Sequence, residues 1–242
     1  MLKGLAQKNI LALAHIGSSV KGVLHNMNSP LTAVLGRSEM LRFRFEKLKG
    51  SSADAEINEL LEKSISDIEI IIENCTKVNS VNSNLMQKSI SCESEDKENL
   101  NLSRLFNNEL MFMSANMEFK HNIKKDISIA DNIFIKDAIY VDFSNTLIEI
   151  IENSIYVLRD SKSKNISIKL QSDNNYIIMA FGNSGPSLDS SQKDQIIKSF
   201  YGENNNNNST FVRIGKLLSP YKAKFEIENF NGNNLIKIMI PV

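Results

Sequence analysis

Apolar residues recur at Leu13, Ile16, Val20, Val23, Leu24, Met27, Leu31, Val34 and Leu35. This alternating three-and-four spacing belongs to a helix buried along one stripe. Gly50, Ser51 and Ser52 supply its stop. A second stripe then runs through Ile57, Leu61, Ile65, Ile68, Ile72, Cys75, Val78 and Leu85. Pro30 falls inside the first helix, where loss of a backbone donor predicts a local kink. Two long antiparallel helices with one apolar stripe each cannot close a core alone. The pattern therefore predicts that two copies pair into a four-helix bundle.

Past the polar residues 91–99 the rhythm shortens. Runs around Ile127 and Ile129, over 166–170 and over 176–181 read as strands, and a longer apolar segment over 143–158 reads as a helix. Two further strands are expected at 224–228 and 235–240, joined by a turn at Asn231 and Gly232. The fold class is thus α+β: a helical hairpin over 1–94, then an α/β sandwich with a mixed sheet over 97–242. The asparagine tract 204–208 predicts a loop with no core of its own.

Composition narrows the partners. Of 242 residues, 42% are hydrophobic, and 28 Lys plus Arg balance 28 Asp plus Glu. No net field draws this chain to nucleic acid or an anionic membrane. Cys75 and Cys92 match neither a metal-ligand spacing nor a disulfide framework, which fits a reducing cytoplasm. The opening stretch is amphipathic without a long apolar run, so no signal peptide or membrane span is expected.

His25 stands one step past Leu24, off the centre of its stripe, where the imidazole would flank the bundle. A neutral imidazole nitrogen is a competent nucleophile toward phosphorus, although a lone helical histidine is more often an ordinary surface residue. The segment LHNMNSPLTAVLG decides between them, because it resembles the H-box of histidine kinases, with His25, Pro30, Leu31 and Thr32 in register. The resemblance implies that His25 carries the phosphoryl group. Asn26 stands where the family usually has an acid; an amide orients the ring but is no base at neutral pH. Ser29 occupies a position where relatives with phosphatase activity often carry a polar residue, and a solvated helix serine would look the same. His15 and His121 lack this context and read as structural or exposed.

LIEIIENSIYV, beginning at Leu147, resembles the N-box of the ATPase fold shared by histidine kinases, gyrase and Hsp90-type chaperones. The resemblance implies ATP with Mg²⁺, with Asn153 as the metal's oxygen ligand and Glu149 at a position that is Asn in many kinases and a catalytic Glu in many ATPases. Tyr156 replaces a lysine that often contacts phosphate. FGNSGPSL, from Phe181, resembles the G1 box; Asn183 takes the place of the adenine-reading aspartate, Gly185 keeps the first glycine and Ser187 replaces the second. Phe200 corresponds to the F-box phenylalanine, but no glycine-rich lid follows, so the phosphate cradle is weakened. Arg213 or Lys216 could supply side-chain contacts to phosphate instead, or be solvated helix charges.

Together these blocks imply an ATP-dependent kinase that phosphorylates His25 and passes the group to an aspartate of a response-regulator receiver domain. Two alternatives stay open: a histidine phosphotransferase with a vestigial ATP-binding domain, and a non-catalytic dimeric scaffold.

Overall fold

The computed structural model describes residues 26–27, 29–44, 47, 54–93, 96–203, 209–230 and 232–242. His25, with His15, residues 50–52, the tract 204–208 and Asn231, lies outside the described residues. Two compact units are distinguished, one within Val20–Ile90 and one comprising Ser91–Val242.

In the first unit residues 29–44 form α1 and Asp54–Glu93 form α2. Arg37 and Arg44 of α1 both grip Asp67 of α2, Arg37 at 2.8 Å. Leu60, Ser64, Asp67 and, further along, Lys88 are buried on α2. These positions are offset from the sequence stripe: Ile65, Ile68 and Ile72 are exposed, as are Leu35 and Phe43 on α1.

The second unit begins with β1 (Glu98–Asn101), α3 (Leu102–Met113) and a π-helical turn, Glu118–Asn122. It continues with β2 (Lys124–Ile129), β3 (Phe134–Ala138), α4 (Tyr140–Val157), β4 (Asn165–Ser172) and β5 (Tyr176–Asn183). α5 (Ser190–Phe200), α6 (Thr210–Leu218), β6 (Lys224–Phe230) and β7 (Asn233–Pro241) complete it. The main sheet has the order β2-β4-β5-β7-β6, and β1 pairs with β3 apart from it. β4, β5, β7 and β6 are antiparallel neighbours, whereas β2 runs parallel to β4. A parallel pair needs a crossover, and α4 supplies it.

Alternation along the strands sends Ile168 and Leu170 of β4, Met179 and Phe181 of β5 and Ile236 and Ile238 of β7 into the core. There they share one cluster with Phe106 of α3, Leu147 and Ile151 of α4 and Ile214 of α6. Sheet and helices form two layers around that core. Helix starts follow local chemistry. Asn101 Oδ1 accepts from Arg104 N–H at 2.9 Å to begin α3. Asp189 and Gln192 form a reciprocal capping box on α5, at 2.8 and 3.0 Å.

α6 passes through a 3₁₀ turn, Ser219–Tyr221, to Lys222, whose φ of 53° lies in the left-handed region. A Cβ is unfavourable there, by about 1 kcal/mol. Lys222→Gly is therefore expected to stabilise the domain by about 1 kcal/mol and to raise its melting temperature by about 3 °C. A lowered melting temperature would mean that Lys222 gains more from its surroundings than it loses in backbone strain.

Candidate functional site

Residues three and four apart share one face of a helix, so α4 sets Glu149, Asn153 and Tyr156 in a row. Glu149 is buried, and α6 sends Arg213 to it in a bidentate pair: Nε donates to Oε1 at 2.8 Å and Nη2 to Oε2 at 2.6 Å. The hydrogen bond to Glu149 holds the Arg213 guanidinium above its ordinary range against the opposing effect of partial burial. Thr210 Oγ1 lies 3.3 Å from Nη2 and steadies the fork.

One turn on, Asn153 is half-buried and makes no side-chain hydrogen bond to another described residue. Its amide oxygen suits Mg²⁺, which commonly takes one or two protein oxygens and completes its octahedron with phosphate and water. Among the described residues no group of three or more His, Cys, Asp or Glu could hold a metal unaided. Tyr156 is exposed, with the Arg159 guanidinium 5.6 Å from its ring centre.

β5 ends at Asn183, whose cross-strand partner in β7 is Asn234. Both are buried. Asn183 Oδ1 accepts from Gly185 N–H at 3.1 Å and from Asn234 Nδ2 at 3.4 Å, while its Nδ2 donates to Ser154 Oγ at 3.5 Å. Asn234 holds the loop after β5 from the other side: its Nδ2 donates to Pro186 O at 2.8 Å and its Oδ1 accepts from Leu188 N–H at 3.1 Å. Asn229 Nδ2 adds bonds to Ser187 Oγ at 2.7 Å and Leu188 O at 3.1 Å. The serine that replaces a glycine is thus used to fasten the loop. Gly185 itself is required by close approach, since a Cβ there would stand 2.4 Å from Val157 Cγ1 and 2.9 Å from Asn183 Oδ1.

Glu149 and Arg213 are in direct contact, and Asn183 and Gly185 form a second contacting pair. Lys216 is exposed on α6. Phe200 is a core residue, stacked on Phe225 with ring centres 4.6 Å apart. In the helical unit Asn26 is helical and half-buried, and Ser29 is helical and exposed. His121, in the second unit, is exposed. Sequence reasoning missed Ser154, Asn229 and Asn234. Ser154 directly follows Asn153 and could have been found from that adjacency; Asn229 and Asn234 lie one and two strands downstream, where only sheet register brings them to the loop.

No family model matches the sequence, and no curated protein is similar to it. Solved structures do resemble it. The catalytic domain of histidine kinase ThkA is 17% identical and covers 60% of this chain and 97% of its own, with a TM-score of 0.51. A structure of histidine kinase ThkA in complex with the response regulator protein TrrA is 16% identical, with a TM-score of 0.50. It covers 97% of this chain and 64% of its own. The histidine kinase domain of the blue-light activated kinase EL346 from Erythrobacter litoralis is 12% identical, covers 84% and 95%, and has a TM-score of 0.48. The chain has the fold of a histidine-kinase catalytic domain.

Proposed function

Proceeding from that fold, we propose that the chain is a two-component histidine kinase that phosphorylates His25 from a nucleoside triphosphate and passes the group to an aspartate of a receiver domain. The observation that carries this reading is the site at the end of β5. Asn153 on α4 makes no side-chain hydrogen bond to another described residue, and a loop clamped by Asn183, Asn229 and Asn234 faces the same helix through Ser154. That arrangement, on this fold, is suited to a purine nucleotide with its phosphates directed along α4.

A neutral His25 nitrogen attacks the γ-phosphorus. The N–P bond forms as the bond to the bridging oxygen breaks, the diphosphate leaves, and the proton on the other ring nitrogen is released to water, since Asn26 cannot accept it. When bound, Mg²⁺ would neutralise the phosphate charge that develops in this transfer. Asn153 would orient that ion. The exposed apolar residues Leu35, Phe43, Ile65, Ile68 and Ile72 favour a homodimer closed through the hairpin. The receiver domain would dock beside the same bundle. No described helix is long and apolar enough to cross a membrane. A cytoplasmic setting would suit the free Cys75 thiol.

A second reading is favoured by the sequence after Phe200, which carries no glycine-rich lid. A chain whose phosphate cradle is so weakened would act as a phosphotransferase, charging His25 from one receiver domain and discharging it to another. Radiolabelled γ-phosphoryl nucleotide with Mg²⁺ separates the two. The kinase labels the wild type, and His25→Ala loses all label. If no label appears from nucleotide but label arrives from a phosphorylated receiver domain, the phosphotransferase is correct. Label that persists in His25→Ala defeats both.

A further inference from the structure

A cavity opens at the far end of the α/β unit from Asn183. Its volume is about 560 Å³, within the range that holds a small organic ligand, and every residue lining it belongs to this one unit. Ile177 lines it near the start of β5, whereas Asn183 ends that strand. At about 3.3 Å per residue the two places lie about 20 Å apart.

The floor of the cavity is apolar. Ile135, Ile177 and Ile240 are buried there, beside Ile139, Pro220 and the ring of Phe134. The polar groups among them already have partners: Tyr221 Oη donates to Asp142 Oδ2 at 2.7 Å and accepts from Ile139 N–H at 3.0 Å. Burial first, then the Asp142 carboxylate, raises the Tyr221 hydroxyl far above its ordinary range, so it stays a neutral donor committed to that carboxylate.

The rim is basic. Lys97, Lys136 and Lys222 line the same cavity and are exposed. None of the three makes an ion pair or a side-chain hydrogen bond with another described residue, whereas Lys164, Lys169 and Lys237 of the same unit each face a carboxylate. Asp137 is the one exposed carboxylate among the lining side chains, so positive charge is in excess. Backbone strain gathers here as well. Asn132, Asp137 and Lys222 are the described non-glycine residues with positive φ, and the last two, at 52° and 53°, line this cavity from the segment before α4 and from the corner after α6. Residues held in that region concentrate at ligand sites.

We propose that this cavity binds a small amphiphilic carboxylate, whose apolar body fills the floor and whose anionic head lies at the rim among Lys97, Lys136 and Lys222. The buried Asp142 carboxylate repels a negative head from the floor and fixes this direction. Both parts are needed. Three exposed lysines alone would hold an anion weakly, and the floor alone would take a neutral body equally well. The site does not rest on the nucleotide reading, and its failure leaves that reading standing.

Octanoate, 1-octanol and octylammonium share one apolar body and differ in the charge of the head, so they form the test series. Each is titrated into the full chain up to about 10 mM and followed through backbone amide resonances. Octanoate is expected to bind at least about fivefold tighter than octanol, with the largest shifts at Ile139, Asp142, Ile177 and Lys222, and octylammonium weakest. Added salt should narrow the gap. The triple variant Lys97→Gln, Lys136→Gln, Lys222→Gly should bind octanoate and octanol equally. Phe134→Ala, at an exposed ring, should weaken both alike. Octanol as tight as octanoate, octylammonium the tightest, shifts centred elsewhere, or no binding of octanoate overturns the inference. If the triple variant does not fold, the wild-type series alone decides.

Discussion

Gly215→Ala is expected to destabilise the α/β domain by about 3 kcal/mol and to lower its melting temperature by about 10 °C. The sign is informative, because alanine normally improves a helix over glycine by about 1 kcal/mol. Gly215 lies within α6, and a Cβ there would stand 1.8 Å from the Phe200 carbonyl oxygen and 2.7 Å from its carbonyl carbon. These are backbone atoms at the end of α5 and cannot rotate aside. α6 would have to lift from α5, disturbing Phe200 and Phe211, both of which pack on Phe225. Gly36 of α1 is the control: nothing lies within 4 Å of its would-be Cβ, and alanine there is expected to stabilise. Thermal unfolding of the two variants decides the matter. A melting temperature for Gly215→Ala at or above wild type would show that α5 and α6 do not approach as described.

Arg213→Ala is expected to cost about 2–3 kcal/mol, more than Glu149→Gln. Breaking a buried pair is costly chiefly through the charge left behind. The Glu149 side chain is 5% exposed and that of Arg213 is 34% exposed. Without Arg213, Glu149 keeps a negative charge away from water. Without the carboxylate, Arg213 can turn to solvent at small cost. The double variant, with the buried charge gone, should recover much of the loss, which a denaturant double-mutant cycle would measure. Lysine cannot replace the fork, so Arg213→Lys should resemble the alanine variant more than wild type. Equal costs for the two single variants would mean that burial does not govern the pair.

The large elements were legible because their signal is periodic over many residues. The alternation in 166–170, 176–181 and 235–240 led to strands, and the long apolar segment at 143–158 led to α4. β1 and β3, at four and five residues, give too few alternations to register. α3 carries a helical spacing at Leu102, Leu105, Phe106 and Leu110, and Asn101 caps it, so that signal was present and not used. α5 likewise announced itself through Asp189 and Gln192. In the candidate site, Glu149, Asn153 and Asn183 could be singled out because each lies inside a compact local block. Arg213 could be suspected as a phosphate contact but not as the partner of Glu149, because helix pairing is a tertiary fact. The role of Asn234 was not readable from its own surroundings, which look like any strand entry after a glycine turn.

The Asn183 and Asn234 rung lies near one end of the long β5 to β7 ladder, 51 residues apart in sequence, and next to the hairpin tip where Phe230 pairs with Asn233. Strand ends fray at far lower cost than a core opens. Peeling the first residues of β7 away would release Asn234, and with it the loop, before Ile236, Ile238 and Ile240 left the interior. The domain can therefore lose the clamp on this loop transiently while staying folded, and under the proposed function a nucleotide bound there would hold this end of the sheet shut. Affinity in such a site reports the frequency of closure as well as the quality of contact.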